Sequence, residues 1–392
     1  MSLAACPAPF LLETDYPKNG GYLPGRFCQE LSASLSCCLP CPAQQWVYSD
    51  LFIERLSFVS DIATASAACC GFMLLSFVVL PPRASRVHYL TVGLVMAVLF
   101  VAVAFAIPLT THPSQCWDAI TPNDQSSDGS CAWTGALLSL GALGIAMWTF
   151  LRTLWLNLVV CWDYVPGRVY SVLSTVLGVV IPIALMVALL LVTGVSYALG
   201  QSCTPNHPHS VETFWAWFVA LAGSSFLIQM GTSAYCVWIY RGGASYGAHS
   251  TPGTTMNSVT GSANQKVQSE QKMWRRARRM LLMQWRTILL TVLVTVEGLY
   301  FMIVFWTHDL AYNGVQDRLA DNVDAQKWAA CLVLTAGNSS QCLHYTESWL
   351  GSSNSLLSCF ILAALIGIQT MFLTLRWSIF TAWWDLLTKP FH

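Results

Sequence analysis

Long uninterrupted apolar stretches dominate the chain. Seven of them reach about 20 residues or more, the length that crosses a hydrocarbon core of roughly 30 Å. Hydrocarbon cannot satisfy backbone N–H and C=O groups, so each stretch is expected to form an α-helix. The short alternating segments of about 10 residues that are typical of a membrane β-barrel do not appear. The predicted spans are 57–80, 87–109, 132–160, 169–196, 213–240, 285–307 and 353–376.

Composition agrees with this pattern, because 55% of the 392 residues are hydrophobic and only 10% are charged. A soluble domain carries about a quarter of charged residues. The sequence therefore predicts an all-α membrane protein, a bundle of seven transmembrane helices over residues 57–376. A short cysteine-rich, loop-dominated segment, 1–56, precedes the bundle. Within the bundle, the third inner segment, 241–271, is rich in Gly, Ser, Thr and Asn and is expected to be disordered.

The segment after the seventh span, 377–392, places large apolar residues at helical spacing. This pattern predicts a short amphipathic eighth helix that lies on the inner membrane leaflet. The alternative, a continuation of the seventh helix, would leave its polar residues inside the membrane. The apolar residues are Trp377, Phe380, Trp383, Trp384 and Leu387.

The distribution of basic residues predicts the orientation. With the N-terminus outside, fourteen of the nineteen lysines and arginines fall on the cytoplasmic side and five fall outside. Such an excess of positive charge is the signature of cytoplasmic loops. The stretch "KMWRRARRMLLMQWRT" at the start of the sixth span contributes six of the fourteen. The five outside are Lys18, Arg26, Arg55, Arg318 and Lys327.

Cysteine positions favour the same orientation. Ten of the fifteen cysteines fall in segments that this orientation puts outside, where an oxidising compartment favours disulfides. The sequon at Asn338 also lies outside, between the sixth and seventh spans, and is a candidate glycosylation site. Too many connectivities remain for the pairing of the N-terminal cysteines and Cys116 to be assigned from the sequence. The N-terminal cysteines are Cys6, Cys28, Cys37, Cys38 and Cys41.

Seven spans with an outside N-terminus follow the plan of a G-protein-coupled receptor. The common rhodopsin-class motifs are missing, because the third span ends "FLRTLWLNLVVCWD" and the seventh reads "LIGIQTMFLTLRW". The seventh span also lacks a lysine for a retinal Schiff base. Other blocks, "CWDAITPND", "SDGSCAWTG", "CWDYVPG", "GVSYALGQSCTPNH" and "LLMQWRT", together with Trp377-Ser378 and Thr381, resemble fungal seven-helix receptors related to the Frizzled/Smoothened membrane region.

The resemblance implies a disulfide between Cys131 and Cys203, which would also tie a loop to the outer end of a helix. It further implies a brace in the third outer loop, for which Cys331 and Cys342 are the candidates. Cys116 would then pair with an N-terminal cysteine. The segment 1–56 is too short for a Frizzled-type cysteine-rich domain, so binding of lipidated Wnt-like proteins is not expected.

The resemblance also implies a cytoplasmic switch in which a basic residue at the start of the sixth helix contacts an aromatic residue after the seventh. Arg286 and Trp377 occupy the matching positions. A guanidinium over an indole ring is worth about 2 kcal/mol when it is desolvated. In the alternative, Arg286 extends to the lipid headgroups and Trp377 belongs to the interfacial aromatic belt.

Two acids fall inside the predicted spans. Glu297 lies eleven residues beyond Arg286, about 16 Å deeper along the helix, where an ionised acid is costly and is a candidate for function. It is expected to be protonated, to contact a polar ligand, or to bind a polar side chain such as Gln369. Asp61, near the outer end of the first span, is expected to have a structural hydrogen-bonded role.

These features predict a multi-pass plasma-membrane receptor that transmits an extracellular signal through the sixth helix to a cytoplasmic effector, with a heterotrimeric G protein as the expected partner. The ligand is not predicted, and a transporter of a small solute is the alternative. No enzyme, cofactor, metal site or nucleic-acid partner is expected, while contacts with membrane lipids are. The candidate effector-facing residues are Arg275, Arg276, Arg278, Arg279, Arg152 and Arg168.

Overall fold

The computed structural model describes residues 6–32, 35–81, 88–248, 261–317, 322–350, 352–375 and 377–388. Within these ranges, the side chains of 31–32, 239–248, 261–284, 287, 313 and 317 are not described. Seven of the described helices are long and apolar enough to cross a membrane. They are α2 (Asp50–Val79), α3 (Tyr89–Thr111), α4 (Gly129–Cys161), α5 (Arg168–Val192), α6 (Ala216–Ala248), α7 (Gly261–Asp317) and α10 (Ser353–Thr374).

The membrane helices form a closed ring in which α2, α3, α4, α6, α7 and α10 each pack on the next and α10 returns to α2. Helix α4 is the most buried of the seven, and α5 packs on its outer side. Close approach of α3 and α4 depends on small residues. Gly141 of α4 lies directly against the backbone of Ala97 and Val101, and Gly144 lies against Ala97.

Helix ends follow local capping signals and differ by several residues from the apolar runs. Helix α2 begins at Asp50, seven residues before the predicted start, because the Ser49 hydroxyl accepts a hydrogen bond from the Phe52 N–H at 3.3 Å. The carboxylate of Asp128 caps α4 in the same way. Helix α5 ends at Val192, before Gly194, whose φ of +71° interrupts the helix.

The segment 241–271, for which the sequence predicts disorder, is helical in its described parts. Helix α6 continues to Ala248 and α7 begins at Gly261, so residues 249–260 are the part of this segment outside the described residues. The sequence from Gln265 to Arg279 is rich in Gln, Lys, Glu, Ala, Met and Arg, all good helix formers. These propensities outweigh the Gly and Ser content of the segment.

The N-terminal segment is also more regular than expected. Strands β1 (Leu11–Leu12), β2 (Cys28–Ser32) and β3 (Leu35–Cys38) form an antiparallel sheet in the order β1-β3-β2. A short helix, α1 (Gln44–Val47), follows, and the third outer loop folds into α8 (Val323–Leu334) and α9 (Leu343–Leu350).

A second small sheet lies in the loop between α5 and α6, where strands β4 (Val195–Ser196) and β5 (Thr204–Pro205) pair in antiparallel fashion. These outer elements cover one end of the bundle. At the other end, the predicted amphipathic helix is present as α11 (Trp377–Thr388). It packs on α2, because Trp383 Nε1 donates to Ser76 Oγ at 2.9 Å and the Trp383 ring stacks on Phe72. Trp377, Trp384 and Leu387 remain exposed.

Candidate ligand and coupling sites

Five disulfides brace the outer elements. Cys131, at the start of α4, is bonded to Cys203 in the loop between α5 and α6. The bond between Cys331 and Cys342 closes the turn from α8 to α9. The partner of Cys116, which the sequence left open, is Cys41. The remaining two bonds, Cys6–Cys37 and Cys28–Cys38, hold the small sheet together.

A buried arginine fixes the N-terminal segment to the loop before α4. Arg26 is 6% exposed, and its Nε donates to Thr121 Oγ1 at 2.8 Å. Its guanidinium also lies 3.5 Å from the carboxylate of Asp118 and 3.8 Å from that of Glu13. Two carboxylates and a hydroxyl thus offset the cost of burying this charge. The segment is therefore held against the bundle by polar contacts as well as by disulfides.

The outer cavity lies between the N-terminal segment, the loop that carries β4 and β5, and the outer end of α7. Its volume is about 280 Å³. Asp309 of α7 lines it and contacts the ring of His207. Burial and then the charge of Asp309 raise the pKa of Tyr22, which also lines the cavity, to about 12. Neither His207 nor Asp309 belongs to the residues predicted from the sequence.

The N-terminal segment also contacts the outer end of α7 directly. The Tyr48 hydroxyl is hydrogen-bonded to the His308 ring. Gln316 Nε2 donates to the carbonyl oxygens of Pro24, at 2.7 Å, and of Arg26, at 2.9 Å. Helix α7 extends ten residues beyond the predicted end of its apolar run, and these contacts belong to that extension. The polar pair His308-Asp309 directly after the run was the available sequence signal.

The inner cavity lies deeper, between α3, α4, α6, α7 and α10, and has a volume of about 110 Å³. Its walls are apolar and strongly aromatic. Phe214 and Trp215 reach it from a π-helical turn, Val211–Trp215, that leads into α6. Phe301 and Phe305 of α7 complete the aromatic wall. Single π-helical turns are frequent at functional sites.

Glu297 lines this cavity and binds Gln369, the polar partner that the sequence suggested. Gln369 Nε2 donates to Glu297 Oε1 at 2.8 Å, which connects α7 with α10 inside the membrane. One turn further out, Tyr300 and Ser358 form a second hydrogen bond between the same helices at 2.8 Å. Asp61 behaves differently from expectation. It is exposed on α2, and the described residues give it no hydrogen bond.

The contact that Arg286 makes differs from the implied pair with Trp377. Arg286 Nη1 donates to the carbonyl oxygen of Leu375 at 2.9 Å, where α10 ends. The cation–π contact of Arg286 is with Trp285, with the guanidinium carbon 5.6 Å from the ring centroid. Trp377 contacts Phe380 of its own helix, at 5.7 Å between ring centroids. The same helix ends meet, but the acceptor is a backbone carbonyl because the indole faces outward.

The other predicted residues are distributed over both ends. Arg152 is half-buried, and burial and then its charge lower the pKa of His88, which caps α3. Arg168 is exposed at the first position of α5. Asn338 is exposed between the disulfide-bonded Cys331 and Cys342. The side chains of Arg275, Arg276, Arg278 and Arg279 lie outside the described residues.

The arrangement is suited to binding and transmission. Among the described residues, the one group of three close His, Cys, Asp or Glu ligand atoms comprises Glu13, Cys28 and Cys38. Both of its cysteines are joined in a disulfide, so neither supplies a thiolate to a metal. The two cavities share Pro205 and Phe305 among their lining residues, and α7, which carries the basic stretch before its apolar part, lines both of them.

No family model matches the chain. The G protein-coupled receptor gprM of Aspergillus fumigatus is 34% identical to it over 391 residues, which cover 98% of this chain and 77% of the receptor. The crystal structure of squid rhodopsin has the same fold, with a TM-score of 0.50 and 10% identity over 88% of this chain and 94% of that chain. The identity with the fungal receptor along nearly the whole chain shows the family, and this chain therefore belongs to the G protein-coupled receptors.

Proposed function

We propose that this receptor responds to an extracellular ligand and activates a heterotrimeric G protein through movement of α7. The observation that carries the proposal is the set of contacts between α7 and α10 at three depths. Tyr300 binds Ser358, Glu297 binds Gln369, and Arg286 binds the carbonyl of Leu375. A change at the cavities is thus transmitted along one helix to the cytoplasmic end.

The proposed orientation rests on the two ends of the bundle. All five disulfides lie in or beside the outer loops, whereas the five free cysteines lie within the membrane helices. Disulfides persist in an oxidising compartment, so this end faces outward. The arginine cluster before α7 then faces the cytoplasm, as cytoplasmic loops require. A plasma-membrane location, an exposed Asn338 for glycosylation, and a role without catalysis are part of the same proposal.

The contact between Arg286 and Leu375 is proposed to hold the cytoplasmic end closed. A cation beside the last carbonyls of a helix stabilises that helix end through the helix dipole. Because Arg286 is exposed, we expect the contact to be worth about 1 kcal/mol, or about fivefold in an equilibrium between closed and open states. Opening would release Leu375 and expose the inner ends of the helices to the G protein.

The cytoplasmic arginines are the proposed partner-binding residues. Arg275, Arg276, Arg278 and Arg279 precede the membrane part of α7, and Arg168 is exposed at the same end. Solvated charges contribute little to folding but attract an acidic partner over about 8 Å at physiological salt. Their loss should therefore weaken effector binding without unfolding the receptor.

A distant relation to the Frizzled/Smoothened membrane region is also part of the proposal. It is supported by the contact between the start of the membrane part of α7 and the end of α10, and by the turn into α11. In that turn, Thr381 Oγ1 donates to the carbonyl of Ser378 at 3.1 Å. Wnt-like ligands are not proposed, because the described N-terminal segment is a small three-stranded sheet.

The test is nucleotide exchange on a panel of Gα subunits by the purified receptor in lipid nanodiscs. Arg286→Ala should raise basal exchange about fivefold, because it removes the contact with Leu375. Arg55→Ala is the matched control, since Arg55 is exposed at the opposite end of the bundle and should leave exchange unchanged.

Two outcomes would contradict different parts of the proposal. If the folded receptor and both variants stimulate no Gα subunit, coupling to a G protein is wrong. If exchange occurs but Arg286→Ala leaves it unchanged or lowers it, the closing role of Arg286 is wrong while coupling stands.

A further inference from the structure

The inner cavity has one formally charged residue among the described residues that line it, and that residue is Glu297. Its other lining groups are apolar, aromatic or neutral polar side chains. The inner cavity is therefore largely apolar, with one acid among its described lining residues. Burial of an ionised acid is costly unless a positive charge or hydrogen-bond donors face it.

The two carboxyl oxygens of Glu297 have different surroundings. Oε1 accepts the hydrogen bond from Gln369 Nε2 at 2.8 Å. Oε2 is buried and has no hydrogen-bond partner among the described residues. Buried polar atoms in proteins nearly always have a partner, so an unpartnered one calls for an explanation. A donor that enters the cavity would satisfy it.

The aromatic walls favour a cation as that donor. Phe301 and Phe305 are stacked, with ring centroids 5.8 Å apart, and Trp215 lies 6.2 and 5.8 Å from them. Ring faces attract ammonium groups electrostatically. The π-helical turn that ends at Trp215 places this ring at the cavity. An apolar body and an ammonium head are thus both accommodated.

The outer cavity, like the inner one, is lined by an acid and by aromatic rings. The outer cavity shares Phe305 and Pro205 with the inner one, and the described residues that line the two cavities include no lysine or arginine. Asp309 lines the outer cavity twelve residues after Glu297, which is about 18 Å along the helix. Glu297, Phe301, Phe305 and Asp309 are spaced four residues apart, so one face of α7 presents an acid, two rings and an acid.

We propose that the inner cavity binds a small hydrophobic amine, whose ammonium group donates a hydrogen bond to Glu297 Oε2 while its apolar body packs on Phe301, Phe305 and Trp215. An apolar cavity of about 150 Å³ holds one benzene ring. The observed volume of about 110 Å³ therefore suits a body of about one ring that extends toward the outer cavity. That such a ligand is the receptor's stimulus rests on the proposed function, whereas its binding does not.

The test uses three probes that share a ring and differ in the head group, namely benzylamine, benzyl alcohol and toluene. Binding to the full-length receptor in nanodiscs is measured by isothermal titration calorimetry at neutral pH, and empty nanodiscs are titrated in parallel to subtract lipid partitioning. Benzylamine should bind the wild-type receptor at least about tenfold more tightly than either uncharged probe, as a charged hydrogen bond requires.

Glu297→Gln keeps the size of the side chain and its contact with Gln369 but removes the charge, so it should abolish the preference for benzylamine. Asp61→Asn makes the same acid-to-amide change on the exposed face of α2 and should preserve it. Equal affinities of the three probes for the wild-type receptor would overturn the proposal, even if Glu297→Gln failed to fold. A preference that persists in a folded Glu297→Gln receptor would also overturn it. Because no G protein is present, failure of coupling cannot produce either result.

Discussion

The missing Cβ atom of Gly141 allows α3 and α4 to approach closely. A Cβ atom at Gly141 would lie 2.6 Å from Val101 Cγ2 and 2.8 Å from the carbonyl oxygen of Ala97. The second contact is with backbone, which cannot rotate away. Gly231, on α6, has no atom within 4 Å of the corresponding position. Small residues let the backbones of membrane helices approach closely, and the resulting van der Waals packing is one of the forces that drive their association.

Gly141→Ala is therefore expected to destabilise the bundle by about 1–3 kcal/mol, the usual cost of overpacking. Gly231→Ala should be neutral or slightly stabilising, because a helical alanine costs less backbone entropy than glycine. Thermal unfolding of both variants in detergent, followed by tryptophan fluorescence, checks the difference. Equal midpoints for the two variants would contradict the close contact of Gly141 with α3.

At the same scale, some pairings were predictable from the sequence and others were not. Gln369 was a plausible partner for Glu297, because few polar side chains occur inside the membrane spans. The acceptor for Arg286 was not predictable, since any helix end offers bare carbonyls. The contact between His207 and Asp309 escaped notice because it joins a loop to a helix 102 residues later.

Helix α11 illustrates the scale of elements. Its apolar periodicity predicted an amphipathic helix, and the structure shows what the periodicity could not, namely which aromatic ring contacts the bundle. Trp383 binds Ser76 and stacks on Phe72, whereas Trp384, the next residue, is 70% exposed. The choice between adjacent tryptophans depends on the angle at which the chain leaves α10, which no local pattern encodes.

Trp383→Ala should release α11 from α2, whereas Trp384→Ala should leave it docked. The reason is that the half-buried Trp383 supplies both the hydrogen bond and the ring contact, which together are worth about 1–3 kcal/mol. Hydrogen exchange of the amides in 377–388, measured by mass spectrometry in detergent, should rise in the first variant alone. An equal rise in both would mean that the membrane surface, rather than α2, holds the helix.

Some element boundaries were predictable from the sequence and others were not. The seven apolar runs located the membrane helices because the hydrocarbon thickness fixes their minimum length. Helix α7 runs from Gly261 to Asp317, well beyond the apolar run at both ends. The apolar runs could not predict these polar extensions, since a helix outside the membrane does not need a continuous apolar sequence. The three-stranded sheet was missed for another reason. Its strands are two to five residues long and are held by disulfides whose pairing the sequence left open.

Across the whole molecule, α7 is the element that connects the two ends. Its outer extension binds the N-terminal segment through Gln316, and the rings of Tyr312 and Phe27 lie 5.7 Å apart. Its cytoplasmic part binds the end of α10 through Arg286. Gln316 and Arg286 are thirty residues apart, about 45 Å along a helix. The disulfide-braced N-terminal segment thus contacts the same helix that is proposed to transmit the signal.

If both contacts stabilise the closed arrangement of α7, Gln316→Ala should also raise basal nucleotide exchange, by about fivefold or more for the loss of two neutral hydrogen bonds. The double variant with Arg286→Ala should then show the product of the two increases, because sites so far apart contribute independently to one two-state equilibrium. This holds while the open state remains a minority. Gln201→Ala, an exposed glutamine in the loop between α5 and α6, is the matched control. An increase in the double variant no larger than in either single variant would show that the two ends of α7 move separately.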